Sequence, residues 1–233
     1  MSAKHRPTFP SLLTVLFALT LSYCTFGHQA AEDSVNRGNA ERINGDLDGA
    51  IADCTKAIEL NPKDDTAYFK RAVARVTRGD LDGAIADYSK VMELKPNYAE
   101  AQFGRGDAKL LKGDLVGAID DYSNAIRLNP KCIEAYTNRG YVESYRGDLD
   151  GAITDYSMVI ELNPKDASAY ISRGMVKNAM GDLDGAIADY TKAIELDPQD
   201  AIAYNNRGIA KKAKGDQVGA NADFAQADKL GIP

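Results

Sequence analysis

The 233-residue chain is long enough for one or two ordinary domains, and its 44% hydrophobic content is that of a soluble protein. Its net charge of −6 grows more negative once Lys4 and Arg6 near the N-terminus are set aside, and no basic stripe interrupts it, so nucleic acid is not an expected partner. Both histidines, His5 and His28, fall within the first thirty residues. The remainder therefore lacks the His of a Ser-His-Asp or Cys-His nucleophile and of a His-based metal site.

Residues 1–30 read as an export signal. Lys4, His5 and Arg6 form a positive n-region, and Leu12 to Leu21 form an apolar h-region bounded by Pro10 and Ser22. That run is about ten residues, short of the roughly 20 that a spanning helix needs. Thr25-Phe26-Gly27 supplies a tolerable cleavage site. Leu21-Ser22-Tyr23-Cys24 resembles a lipoprotein box except at Tyr23, so a cleaved, a lipidated and an uncleaved form all remain open. Contact with a membrane is expected only through such an N-terminus. Cys54 and Cys132 fall at different places two repeats apart, where no internal disulfide is expected.

From residue 31 the chain repeats. Gly-Asp recurs every 34 residues, at Gly45-Asp46, Gly79-Asp80, Gly113-Asp114, Gly147-Asp148, Gly181-Asp182 and Gly215-Asp216, and Pro62, Pro96, Pro130, Pro164 and Pro198 keep the same interval. The units are 31–64, 65–98, 99–132, 133–166, 167–200 and 201–233, with no linker between them. Each predicts two helices. Helix A runs to the Gly, which tolerates the left-handed conformation of a helix C-terminus. The Asp that follows is a natural N-cap for helix B, and helix B stops before the Asn-Pro, Lys-Pro or Asp-Pro pair.

Positions that recur within the chain predict its interior. Ala50, Ala84, Ala118, Ala152, Ala186 and Ala220 on helix B are expected to face Gly38, Ala72, Gly106, Gly140, Gly174 and Gly208 on helix A, small against small. Tyr88, Tyr122, Tyr156 and Tyr190, with Cys54 and Phe224 at the ends, fill the gap between the helices. Leu149, Ile153 and Ile160 share one face of helix B, as do their counterparts from Leu47/Ile51/Ile58 to Leu183/Ile187/Ile194, and this face is expected to pack on the next repeat. In the last repeat the same places hold Gln217, Asn221 and Asp228, which predicts a solvated end and a monomer.

Ala-x-Ala-Tyr, a small residue four places on, Gly-Asp, Gly-Ala-Ile, Tyr and a closing Pro resemble the tetratricopeptide repeat family, of an exported bacterial type, over residues 31–233. The resemblance implies an all-α fold, a right-handed α-solenoid of six 34-residue helix-turn-helix repeats. One departure stands out: Arg37, Arg71, Arg105, Arg139, Arg173 and Arg207 replace the family's large apolar residue at the seventh place. Asp53, Asp87, Asp121, Asp155, Asp189 and Asp223 recur in step, which predicts an Arg–Asp pair bracing the two helices; a ladder of anion-binding arginines is the alternative.

The resemblance also implies a protein or peptide partner, since helix A lines the family's binding groove. Its ligand-facing places carry over to Phe69, Val73 and Val76 in the second repeat, Phe103 and Leu110 in the third, and Tyr141 and Tyr145 in the fourth. The fifth supplies Ile171 and Met175, and the sixth Asn205 and Ile209. The first repeat is more polar there, with Asn36, Asn39 and Arg42. The clamp by which some members hold a C-terminal carboxylate is not assembled, its first two places being Val35 and Asn39. Asp46-x-Asp48-Gly49 resembles the opening of a calcium loop, but Ala57 stands where the bidentate Glu would be. No catalytic residue, metal site or cofactor is expected. The expected role is a non-catalytic interaction scaffold in the periplasm or cell envelope, or secreted; the alternative is an accessory module of an envelope enzyme, such as a glycan-modifying complex.

Overall fold

The structure, a computed structural model, describes residues 34–36, 38 and 46–231. The export signal, Arg37, Asn39 and Arg42 lie outside the described residues. The described chain is helical throughout, with no strand, and belongs to the α-solenoid class. It divides into two compact units at the Pro96–Asn97 boundary. The first contains α1 (Leu47–Leu60), α2 (Asp65–Arg78) and α3 (Leu81–Leu94), preceded by helical residues 34–36 and 38. The second contains α4 (Ala99–Lys112), α5 (Leu115–Leu128), α6 (Ile133–Arg146), α7 (Leu149–Leu162), α8 (Ala167–Ala179), α9 (Leu183–Leu196), α10 (Ala201–Ala213) and α11 (Gln217–Lys229). No described helix is long and apolar enough to cross a membrane.

The helix ends fall where the Gly-Asp pairs predict them. Gly147 closes α6 at φ 86°, a backbone conformation open to glycine, and its N–H donates to the Ser144 carbonyl while that of Asp148 donates to Glu143. Asp148 Oδ1 then accepts from the Gly151 N–H at 3.1 Å and so caps α7. Asp46, Asp80, Asp114, Asp182 and Asp216 cap their own helices in the same way.

Between paired helices the packing corrects one expectation. In three repeats the small residue of helix A meets the aromatic of helix B rather than its alanine, whereas Gly38 lies against the Ala50 carbonyl and Cys54. A Cβ added at Gly106, Gly174 or Gly208 would come within 2.7 Å of the Tyr122 or Tyr190 ring, or 2.6 Å of Phe224. The missing side chain is the space the ring occupies. The Leu/Ile face of helix B does pack on the following helix: Leu149 and Ile153 join a cluster with Val176, Ile160 one with Ala169, and Ile187 and Ile194 one with Ala203 and Ala210. On α11 the corresponding Gln217, Asn221 and Asp228 are exposed, and Gln217 donates to Asn221 at 2.8 Å.

The Arg–Asp pairs are present and bidentate. Arg71, Arg105, Arg139, Arg173 and Arg207 each donate through Nε and Nη2 to both oxygens of Asp87, Asp121, Asp155, Asp189 and Asp223, at 2.7–2.9 Å. The guanidinium also reaches a third helix. Arg71, Arg139, Arg173 and Arg207 donate from Nη1 to the hydroxyls of Thr55, Ser123, Ser157 and Thr191 on the preceding helix B. Those hydroxyls in turn donate to the carbonyls of Ile51, Ile119, Ile153 and Ile187. One arginine therefore ties its own helix to both flanking ones. With only 12–20% of each such side chain exposed, the five described arginines are committed to the interior, not laid out as an anion-binding ladder.

A second cation joins most of these pairs. Arg75, Lys109, Lys177 and Lys211, each four residues after the bracing arginine, contact Asp87, Asp121, Asp189 and Asp223 at 2.6–2.8 Å. Burial opposes the charge on Asp223, but hydrogen bonds from Arg207 and Lys211 outweigh it and hold the carboxyl below its ordinary value. In the fourth repeat this place holds Glu143. Burial, and then the nearby Asp155 carboxylate, push Glu143 up to about 7, and its Oε2 is buried with no hydrogen-bond partner.

Candidate partner-binding face

The bracing residues fix which face of each helix A is left over. In α6, Ala135, Tyr136, Gly140 and Val142 are buried, while Arg139 and Glu143 turn toward α7. Asn138, Tyr141 and Tyr145 lie at spacings of three and four, so they share the remaining face. The same arithmetic puts Phe103, Asp107 and Leu110 together on α4.

Four of the eleven residues read from the sequence as groove-lining are well exposed in the second unit. They are Tyr141 (56%), Tyr145 (74%), Met175 (54%) and Ile209 (46%). Tyr141, Met175 and Ile209 occupy the ninth place of successive helices α6, α8 and α10, and so form a row of exposed apolar side chains. Phe103, Leu110 and Asn205 are half-buried, and Phe103 leans on Tyr122 with ring centroids 5.8 Å apart. Ile171 is a correction. Only 8% exposed, it packs in a cluster with Ala186, Tyr190 and Ala203 and belongs to the core. Phe69, Val73 and Val76 lie half-buried on α2 in the first unit, where Phe69 meets Tyr88 edge-on at 5.6 Å.

Two clefts open along α4 and α6. One, of about 360 Å³, is lined by Leu110, Gly113, Leu115, Tyr141, Val142 and Tyr145. The other, of about 400 Å³, lies at the opposite end of these helices and includes Glu100, Phe103, Lys131, Cys132 and Glu134. Sizes in this range lie at the lower end of those of ligand pockets and are ample for one or two amino-acid side chains. Among the described residues no group of three or more His, Cys, Asp or Glu is arranged to hold a metal ion.

Between the clefts lies a residue that the sequence reading passed over. Asp107 stands at the ninth place of α4, where the other described repeats have Val73, Tyr141, Met175 and Ile209. Its Oδ1 accepts from the Tyr122 hydroxyl at 2.7 Å and from the Asn138 side-chain amide at 2.9 Å. Burial raises the Asp107 carboxyl, and the two hydrogen bonds act against that rise. Burial and Asp107 together raise the Tyr122 phenol, so it remains a donor. The signal that could have found Asp107 is its singularity: a charge in a column of apolar residues.

A family model described as a TPR repeat matches residues 38–77, 74–113, 106–144 and 174–215, and one described as a tetratricopeptide repeat matches 133–166. Among solved structures the chain is similar to the MamA protein, with 31% identity, a TM-score of 0.68, and coverage of 71% of this chain and 91% of that one. It is also similar to YrrB, described as a TPR protein with an unusual peptide-binding site, at 28% identity and a TM-score of 0.68, covering 76% of this chain and 92% of that one. A tetratricopeptide repeat protein from Parabacteroides merdae ATCC 43184 is 26% identical with a TM-score of 0.61, covering 87% and 79% respectively. No curated protein matches the sequence significantly.

Proposed function

Since the chain belongs to the tetratricopeptide repeat family, we propose that it is a non-catalytic scaffold whose helix-A face in the second unit holds a segment of a partner protein. The observation that carries this is the row of Tyr141, Met175 and Ile209, each about half exposed at the same place of successive helices. Apolar side chains spaced regularly on one face, beside a cleft of about 360 Å³, are what an amphipathic helix or extended segment can cover. The similarity to YrrB, a TPR protein with a peptide-binding site, supports the same reading.

The test is affinity capture from the native source with the full chain as bait and a Tyr141→Asp/Met175→Asp double variant as control. Partners recovered by the wild type should be lost with the variant, whose melting temperature should stay unchanged. Equal recovery by both baits would contradict a site on this face.

The leader pattern in residues 1–30 supports export to the periplasm or cell envelope. A reporter active only after export, fused behind residue 30, should be active. The polar Gln217, Asn221 and Asp228 on α11 support a monomer in solution, which light scattering across a concentration series would check.

A further inference from the structure

The four fully buried aspartates of the second unit each have a cation: Asp121 has Arg105 and Lys109, Asp155 has Arg139, Asp189 has Arg173 and Lys177, and Asp223 has Arg207 and Lys211. Asp107 has none. Among the described residues no ion pair reaches it, and its two donors, Tyr122 and Asn138, are neutral and converge on Oδ1. Oδ2 is left without a protein donor. A partly buried carboxylate held by neutral donors on one oxygen is oriented, yet short of the charge that would stabilise it.

Its position makes this useful to a ligand. Asp107 lies one helical turn before Leu110, about 4.5 Å along the axis at 1.5 Å per residue. Leu110 opens the cleft that Tyr141 and Tyr145 complete. Asn138, which fixes Asp107 from the side of α6, precedes Tyr141 by one turn in the same way. A carboxylate oxygen and an apolar cleft are thus presented side by side between two helices. At the far end Glu100 and Glu134 are exposed beside Phe103, against the single cation Lys131.

We propose that the groove between α4 and α6 selects a cationic amphipathic segment of its partner. An Arg or Lys of that segment donates to Asp107 Oδ2, while an apolar or aromatic side chain one turn away fills the Leu110–Tyr141–Tyr145 cleft. The proposal rests on the groove site above and adds the sign of the partner's charge. The cation supplies the counter-charge that the chain gives its other buried aspartates, and the tyrosine rings flanking the cleft also favour a cation at their faces. An acidic segment would meet Asp107, Glu100 and Glu134 as like charges.

The test is selection of a random 12-residue displayed-peptide library on the full chain, in parallel with Asp107→Asn and Tyr141→Asp. Wild-type selections should be enriched in Lys or Arg three or four residues from Leu, Phe, Tyr or Trp. Asp107→Asn, which keeps both internal hydrogen-bond partners, should retain the apolar enrichment and lose the basic one. A wild-type-selected peptide should bind Asp107→Asn about tenfold more weakly, with a flatter salt dependence. Peptides that require Tyr141 but show no basic enrichment, or an acidic one, would overturn the cationic partner and leave the groove site standing. If no peptide emerges, or Tyr141→Asp changes nothing, the groove site falls and the proposal with it. Should Asp107→Asn melt early, the charge of the wild-type-selected peptides and their salt dependence decide the question without it.

Discussion

The fourth repeat, α6 with α7, and its neighbours α4 with α5 and α8 with α9 are built on one plan and differ in a few places. In both neighbours two cations hold the buried aspartate; in the fourth repeat Glu143 replaces the second, so Asp155 depends on Arg139. The fourth repeat also carries the most exposed aromatic residues of the helix-A face, Tyr141 and Tyr145. The brace therefore tolerates loss of one cation, because a bidentate guanidinium with a third hydrogen bond to Ser123 suffices to hold three helices. What recurs in every repeat maintains the fold. What occurs once or twice, on the opposite face of the same helix, is free to recognise a partner.

The largest expected effect follows from that dependence. Arg139→Ala leaves Asp155 buried beside Glu143 with no cation and should cost about 3–5 kcal/mol in urea denaturation. Arg173→Ala should cost distinctly less, because Lys177 remains on Asp189 at 2.8 Å. Equal costs would mean that the second cation contributes nothing.

Next comes Glu143 itself. Its folded value of about 7 lies above the ordinary 4.5, so between these pH values the folded chain binds the additional proton. Wild-type stability should therefore fall as pH rises from 4.5 through 7 and level off above. Glu143→Gln removes the titration and should be more stable by on the order of 2 kcal/mol at pH 8, with no advantage at pH 4. Melting curves of the two proteins across this range should diverge with rising pH. Parallel curves would place the titration elsewhere.

The smallest effect concerns the glycine facing the ring. A Cβ at Gly140 would meet Asp155 Cβ at 3.2 Å and the Tyr156 ring at 3.4 Å, against 2.7 Å to Tyr122 at Gly106. Gly106→Ala should cost about 1–3 kcal/mol by overpacking. Gly140→Ala should be nearly neutral, since the helix propensity of alanine recovers about 0.5–1 kcal/mol. Thermal denaturation of the pair would show whether the fourth repeat is the looser one.

Much of this was legible in the sequence, for identifiable reasons. Gly-Asp and Pro at a constant interval set the helix boundaries, and the Arg–Asp brace was readable because both partners recur in step. The hydroxyls of Thr55, Ser123, Ser157 and Thr191 recur too, but a Ser or Thr on a helix reads as surface until its arginine is seen to reach across. The second cation escaped because its identity changes, from Arg75 to Lys109 to Glu143. On the candidate face, Tyr141, Tyr145, Met175 and Ile209 are exposed, whereas Ile171 is covered by packing against Tyr190 and Ala203, which a position within one repeat does not reveal. Asp107 is not legible as part of the groove because it breaks an otherwise apolar column, and only its hydrogen bonds from Tyr122 and Asn138 reveal that Oδ2 has no protein donor.

The most direct test uses two residues with the same exposure. Tyr141 on helix α6 and Val116 on helix α5 are each 56% exposed, but only Tyr141 lines the cleft beside Leu110. Calorimetric titration of a captured partner should show at least a tenfold loss of affinity for Tyr141→Asp and none for Val116→Asp, with both variants melting like the wild type. Equal binding by both variants, or a loss confined to Val116→Asp, would contradict a partner site on the helix-A face.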